Sequence, residues 1–154
     1  MITARSVMTK DVVTISPQSS IQEAARLMGT RGVRSLVAVE GSMPVAVVTA
    51  NNVIDGIVSE KSKVREIMGA NIEIVSPSTH FSQIIRILKD KKITRFPVVE
   101  NQSLIGIITE TDIVEATRDF TRFHLLMQDI ILITFGLTTL FFMYYFTSTK
   151  ALFF

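Results

Sequence analysis

The stretch ITRFPVVENQSLIGIITETDI, residues 93–113, decides the fold, because its pattern occurs twice in the chain. The first occurrence lies 60 residues earlier, at VRSLVAVEGSMPVAVVTANNV, residues 33–53. Each stretch holds two apolar runs that are separated by a short polar turn, which predicts a β-hairpin. The same shift of 60 residues places Val7-Met8 on Ile67-Met68. The sequence is therefore an internal repeat, which we divide into copy one (residues 1–60) and copy two (residues 61–118).

Both copies predict the order strand, helix, strand, strand, helix. In copy one, an apolar run over Val12–Ile15 ends at Ser16-Pro17 and predicts a short strand. Ser20 and Glu23 then have the spacing of a capping box, so a helix follows. A unit of this size buries little apolar surface alone. We expect an α/β (α+β) fold in which two β-α-β-β-α repeats pack as a pseudo-symmetric pair, followed by a long C-terminal helix.

Composition excludes several classes of function. Of the 154 residues, 47% are hydrophobic and 19% are charged, which is typical of a folded chain. The net charge is +2, so we expect no nucleic-acid partner. The chain has no cysteine and only two histidines, His80 and His124, so we expect no metal site. Nucleophilic triads and phosphate-binding loops are also missing from the sequence, and we expect no enzymatic activity.

The hairpin motif resembles the CBS domain, which pairs as a Bateman module. The resemblance is carried by FPVVE at residues 96–100, by LIGIIT at residues 104–109 and by Asp112, three residues after Thr109. It covers residues 1–118. The resemblance implies a regulatory module, with no tightly bound cofactor, that binds an adenosine-type small molecule: AMP, ADP, ATP or S-adenosylmethionine.

The resemblance also implies roles for particular residues. Asp112 would hold the ribose hydroxyls, Thr109 would face the phosphate, and Arg95 would lie near the phosphate. A helix that begins beside Asp112 also favours an anion, because its first backbone N–H groups are free. The alternative for Asp112 is a simple helix cap. The full predicted binding set is Thr109, Asp112, Arg95, Phe96, Pro97, Ile74, Val75, Thr49 and Asn52, of which Ile74 and Val75 would flank the adenine.

Copy one departs from this pattern at the position of the carboxylate. Asn52 occupies the position that corresponds to Asp112, and Thr49 corresponds to Thr109. An amide has one acceptor oxygen and one donor nitrogen, so it cannot accept from two hydroxyls with both terminal atoms. We therefore expect two unequal sites.

The C-terminal part of the chain predicts a membrane span. Residues 130–149 carry no charge, and a helix of this length spans about 30 Å, the thickness of a bilayer core. We divide the tail into a juxtamembrane helix or linker (119–129), a transmembrane helix (130–149) and a C-terminal tail (150–154). The alternative is a long helix buried in a dimer interface.

The charges around this span predict its orientation. Arg118 and Arg122 precede it and only Lys150 follows it, which places the CBS repeats in the cytoplasm of a single-pass protein of the cell membrane. Met1–Arg5 has no apolar run, so we expect no signal peptide.

These observations lead to one functional hypothesis and two alternatives. The first is a membrane-anchored regulatory CBS pair that relays ligand occupancy to a membrane partner, as a homodimer or as a subunit of a membrane complex. The second is an accessory, structural subunit of such a complex, with vestigial nucleotide pockets. The third is a soluble factor whose apolar tail docks into a large assembly.

Overall fold

A computed structural model describes residues 2–69 and 72–150, except for the side chains of residues 119–124 and 145–150. The chain forms two compact units, Met1–Ile113 and Val114–Phe154. The elements are α1 (Ala4–Val7), β1 (Thr14–Ile15), α2 (Ile21–Arg31), β2 (Ser35–Glu40), β3 (Met43–Thr49), α3 (Ala50–Val58), a 3-10 turn (Val64–Glu66), α4 (Phe81–Lys91), β4 (Arg95–Glu100), β5 (Ser103–Thr109) and α5 (Glu110–Lys150).

Copy one forms a three-stranded sheet in the order β1-β2-β3. The strand β1 runs parallel to β2, and β2 pairs with β3 as the predicted antiparallel hairpin. The helix α2 begins where the sequence predicted, because the Ser20 hydroxyl accepts a hydrogen bond from the Glu23 backbone N–H at 3.1 Å. It ends at Gly32, whose positive φ of 63° closes the helix in the left-handed conformation.

Copy two repeats this architecture. Its hairpin β4-β5 has a bulge between Val98 and Val99, at the place where copy one has its bulge between Ala38 and Val39. A single parallel bridge from Val75 to Val98 stands where copy one has β1. The two sheets and their helices confirm the predicted mixed α/β fold of two repeats.

Each copy also packs the first residues of the other copy into its core. Ala4, Val7 and Met8 belong to copy one in sequence, but they pack against the core of copy two around Phe96. Conversely, Val64, Ile67 and Met68 pack against the core of copy one. Because neither core is complete without a segment from the other copy, the pair is one cooperative unit.

The long C-terminal helix is confirmed, and it is continuous. The helix α5 runs for 41 residues from the end of copy two, and it includes residues 119–129, the predicted juxtamembrane helix or linker. Within its described side chains, Leu125–Tyr144 is apolar, with a mean hydropathy of 1.8, and none of this stretch is buried. The predicted tail (150–154) lies outside the described residues beyond Lys150.

Candidate functional site

A cleft of about 370 Å³ lies between the two copies. Copy one contributes the segment that leads into β1 and the beginning of β2, and copy two contributes the beginning of β4, the end of β5 and the beginning of α5. The lining residues are Thr9, Asp11, Val12, Val13, Val33, Arg34, Ser35, Val37, Thr94, Arg95, Ile107, Thr109, Glu110 and Thr111. The cleft therefore combines an apolar valine-rich wall from copy one with polar groups at the beginning of α5.

Asp112, in the first turn of α5, is not itself a lining residue, but its carboxylate accepts hydrogen bonds from two residues that line the cleft, Thr9 and Thr109. Its Oδ2 atom accepts hydrogen bonds from the Thr109 backbone N–H and from the Thr109 hydroxyl, both at 2.6 Å. Its Oδ1 atom accepts from the Thr9 hydroxyl at 3.0 Å. The carboxylate thus joins the end of β5 to a segment of copy one, and it caps α5 as well.

Two arginines line the cleft, one from each copy. Arg95 is half-buried, and its Nη1 atom donates a hydrogen bond to the Thr94 hydroxyl at 3.0 Å. Arg34 comes from the position just before β2. The sequence predicted only Arg95, because the repeat aligns Arg34 with Thr94. A signal is present in the sequence, since Arg34 lies one position before Ser35, the residue that corresponds to Arg95.

Four predicted residues lie away from the cleft. Phe96 is fully buried, and Val75 is 5% exposed; both belong to the core of copy two. Pro97 is also fully buried, whereas Ile74 is 40% exposed. The described residues that line the cleft include none of these four. The apolar wall beside Asp112 comes instead from Val12, Val13, Val33 and Val37, because the cleft pairs the strands of copy one with the helix start of copy two.

The predicted residues of copy one form a second, separate cap. The Oδ1 atom of Asn52 accepts from the Thr49 backbone N–H at 2.9 Å and from the Thr49 hydroxyl at 2.7 Å. Asn52 lines a smaller depression of about 160 Å³ beside Asp55 and Glu66. The two caps are alike in geometry. They differ in the second terminal atom of the side chain, which does not bind the threonine of the cap: it is a carboxylate oxygen in Asp112 and an amide nitrogen in Asn52.

A larger depression of about 520 Å³ is lined by Arg5, Ser76 and Glu100. Its charged groups are already paired, since Arg5 Nη2 donates to both carboxylate oxygens of Glu100 at 2.5 and 2.6 Å. The cleft beside Asp112 is therefore the better candidate for a ligand site.

The CBS domain family matches residues 4–61 and 64–119, which together are most of the chain. This protein belongs to the CBS domain family. Among curated relatives, an inosine-5'-monophosphate dehydrogenase of Korarchaeum cryptofilum is 34% identical over 113 residues, which cover 71% of this chain and 23% of that protein. The chain thus spans about a quarter of the length of the dehydrogenases that it matches.

Solved structures share the CBS-pair fold. The CBS domain pair of protein MJ0100, solved in complex with 5'-methylthioadenosine and S-adenosyl-L-methionine, is 21% identical, with a TM-score of 0.72 over 77% of this chain and 98% of that chain. The protein CBSX2, solved in complex with AMP, is 24% identical, with a TM-score of 0.70 over 79% of this chain and 99% of that chain. At these identities, the likeness establishes the fold of the CBS pair.

Proposed function

We propose that this CBS pair is a regulatory module, not an enzyme, that binds an adenosine-type ligand in the cleft between its copies. The observation that carries the proposal is the position of Asp112. Its carboxylate lies beside a cleft with an apolar wall, and an ionised carboxylate is a strong acceptor for ribose hydroxyls. The candidate ligands are AMP, ADP, ATP and S-adenosylmethionine, since similar CBS pairs have been solved with AMP and with S-adenosyl-L-methionine.

The other lining residues fit the remaining parts of such a ligand. Val12, Val13 and Val33 offer an apolar surface for the adenine ring. Arg34 and Arg95 supply cations for a phosphate group, and Thr109 lies beside them at the beginning of α5. The predicted roles of Thr109, Asp112 and Arg95 are therefore part of this proposal.

The relay would begin at Asp112, because this residue lies in the first turn of α5 and its carboxylate is hydrogen-bonded to Thr9 and Thr109 of the cleft. A ligand that forms a hydrogen bond with the Asp112 carboxylate contacts the first turn of a helix that continues without interruption to Lys150. We propose that the apolar stretch of α5 anchors the module in the cell membrane, with the CBS repeats in the cytoplasm. There the module would act on a membrane partner, as a homodimer or as a complex subunit.

Full exposure of this apolar stretch supports the anchor. Large apolar side chains such as Leu137, Phe141 and Phe142 are 62%, 70% and 72% exposed. An exposed apolar surface of this extent marks contact with a membrane or with a protein partner. A length of 20 residues also matches the thickness of a bilayer core.

Calorimetric titration of the full chain in detergent with AMP, ATP and S-adenosylmethionine tests the ligand. Asp112→Asn should weaken the binding of a nucleotide at least about tenfold, because a hydrogen bond to a charged group is worth about 1.5–3 kcal/mol. Asp55→Asn, the same change at an exposed carboxyl of copy one, is the matched control and should leave the dissociation constant unchanged. Unchanged binding in Asp112→Asn would refute the proposal.

The amide of Asn52 supports a second candidate function. It shows that one of the two helix caps lacks the carboxylate that a ribose site needs. An accessory subunit of a membrane complex, with vestigial nucleotide pockets, would keep its structural function with an amide at this position. If none of the three ligands binds at millimolar concentration, this structural role replaces the sensing role.

A further inference from the structure

We propose that Thr9 is a second ligand-contacting residue of the cleft. In this arrangement, the Thr9 hydroxyl oxygen accepts a hydrogen bond from one hydroxyl of the ribose diol, while Asp112 Oδ1 accepts a hydrogen bond from the other. The inference rests on the proposed function, which it deepens by assigning the diol to two residues from different copies.

The hydrogen bonds of Asp112 lead to this assignment. A carboxylate oxygen has about two lone-pair positions. Both positions of Oδ2 are taken by the backbone N–H and the hydroxyl of Thr109, at 2.6 Å each. One position of Oδ1 is taken by the Thr9 hydroxyl at 3.0 Å. Within the described hydrogen bonds, the carboxylate therefore has room for one further donor, whereas a vicinal diol brings two.

Thr9 is placed to receive the second donor. The Thr9 hydroxyl donates a hydrogen bond to Asp112, and the lone pairs of its oxygen remain as acceptors. The backbone of Thr9 is fixed against β5, since its N–H donates to the Ile107 carbonyl and its carbonyl accepts from the Ile107 N–H, both at 2.9 Å. Both Thr9 and Ile107 line the cleft. Oδ1 and the Thr9 hydroxyl oxygen are thus two adjacent acceptors that are held on a rigid support.

The positions that correspond to Thr9 and Asp112 under the shift of 60 residues, Gly69 and Asn52, lack both acceptors. Gly69 is the residue that corresponds to Thr9, and it has no hydroxyl. The Asn52 Oδ1 atom already accepts twice from Thr49, and the amide nitrogen of Asn52 can only donate. The difference between the copies therefore involves two positions. Asn52→Asp alone should therefore leave the equivalent pair of positions, Asn52 and Gly69, without a diol site.

The test compares Thr9→Val, which removes the hydroxyl at nearly constant volume, with Thr9→Ser, which keeps it. The full chain in detergent is titrated with AMP, 2′-deoxy-AMP and 3′-deoxy-AMP. Thr9→Val should weaken AMP binding about threefold to tenfold, the range expected for one hydrogen bond. With one of the two deoxy ligands, the same substitution should have little effect, because the hydroxyl that Thr9 receives is already missing. Thr9→Ser should bind all three ligands as the unmodified protein does.

Three outcomes would overturn the assignment. Unchanged AMP binding in Thr9→Val, while the unmodified protein binds AMP, refutes the role of Thr9 and leaves the proposed function standing. An equal loss for AMP and both deoxy ligands shows that Thr9 only orients Asp112. If the unmodified protein binds neither AMP nor ATP nor S-adenosylmethionine, the proposed function fails, and the role of Thr9 fails with it.

Discussion

Met8 of copy one lies directly on Gly106 of copy two. A Cβ atom on Gly106 would lie 2.6 Å from the Met8 Sδ atom and 3.1 Å from the Thr9 carbonyl oxygen. The absence of a side chain at this position of β5 therefore lets the first residues of the chain lie close against the second hairpin. The same close approach places Thr9 beside Asp112, so the packing of the two copies and the geometry of the cleft depend on one contact.

Gly106→Val should lower the stability of the protein and its affinity for the nucleotide. The added side chain has to push Met8 and the Thr9 backbone away, and overpacking of this kind typically costs about 1–3 kcal/mol. We expect a lower free energy of unfolding in a urea titration and weaker nucleotide binding. Gly29→Ala in α2 is the control, because nothing outside the local helix backbone lies within 4 Å of the added Cβ. That variant should be about 0.5–1 kcal/mol more stable than the unmodified protein. Equal stability of Gly106→Val and the unmodified protein would contradict the close packing.

Phe96→Leu should separate stability from ligand binding. Phe96 is fully buried in the core of copy two and lies away from the cleft. The substitution should lower the free energy of unfolding by about 1 kcal/mol, as core truncations do. It should also leave the nucleotide dissociation constant unchanged. Asp112→Asn should weaken nucleotide binding instead. A Phe96→Leu variant with tenfold weaker binding and unchanged stability would instead place the ring in the ligand site.

The sequence predicts each copy well because local chemistry determines it. Two apolar runs separated by a short polar turn predict each hairpin, and the spacing of Ser20 and Glu23 predicts the beginning of α2, which its hydrogen bond confirms. The set of residues that forms the cleft cannot be predicted in the same way. Its apolar wall and its carboxylate come from different copies, and no periodicity within one copy shows which segments meet. Thr9 and the valines therefore emerge only when the copies are packed together.

Glu66 should make the stability of the protein sensitive to acid. Its Oε2 atom accepts hydrogen bonds from the Ser62 and Lys63 backbone N–H groups at 2.8 and 3.2 Å. These hydrogen bonds, helped by the charges of Lys61 and Arg65, lower the pKa of the Glu66 carboxyl below its ordinary value of 4.5. Because the folded pKa is depressed, the stabilisation is complete above pH 4.5 and is lost as the pH falls through the folded value.

Glu66→Gln should therefore destabilise the protein at neutral pH and less so in acid. Urea titrations at neutral pH and below the folded pKa would measure the difference in unfolding free energy between the variant and the unmodified protein. Glu60→Gln removes a charge from an exposed residue in the same region and serves as the control. A constant effect of Glu66→Gln at all pH values would show that the hydrogen bonds from Ser62 and Lys63 do not depend on the charge of the carboxylate.

Two environments could cover the exposed side chains in the apolar stretch of α5: a lipid bilayer or a protein interface. If it spans a bilayer, the full chain should fractionate with membranes and resist carbonate extraction. Each arginine at the centre of a span costs about 2.5–3.5 kcal/mol on insertion, so Ile133→Arg combined with Leu137→Arg should release the protein into the soluble fraction. Val58→Arg is the control, because Val58 is 78% exposed but lies in α3. It should stay with the membranes. An unmodified protein that remains soluble without detergent, as an oligomer joined through α5, would establish the protein interface instead.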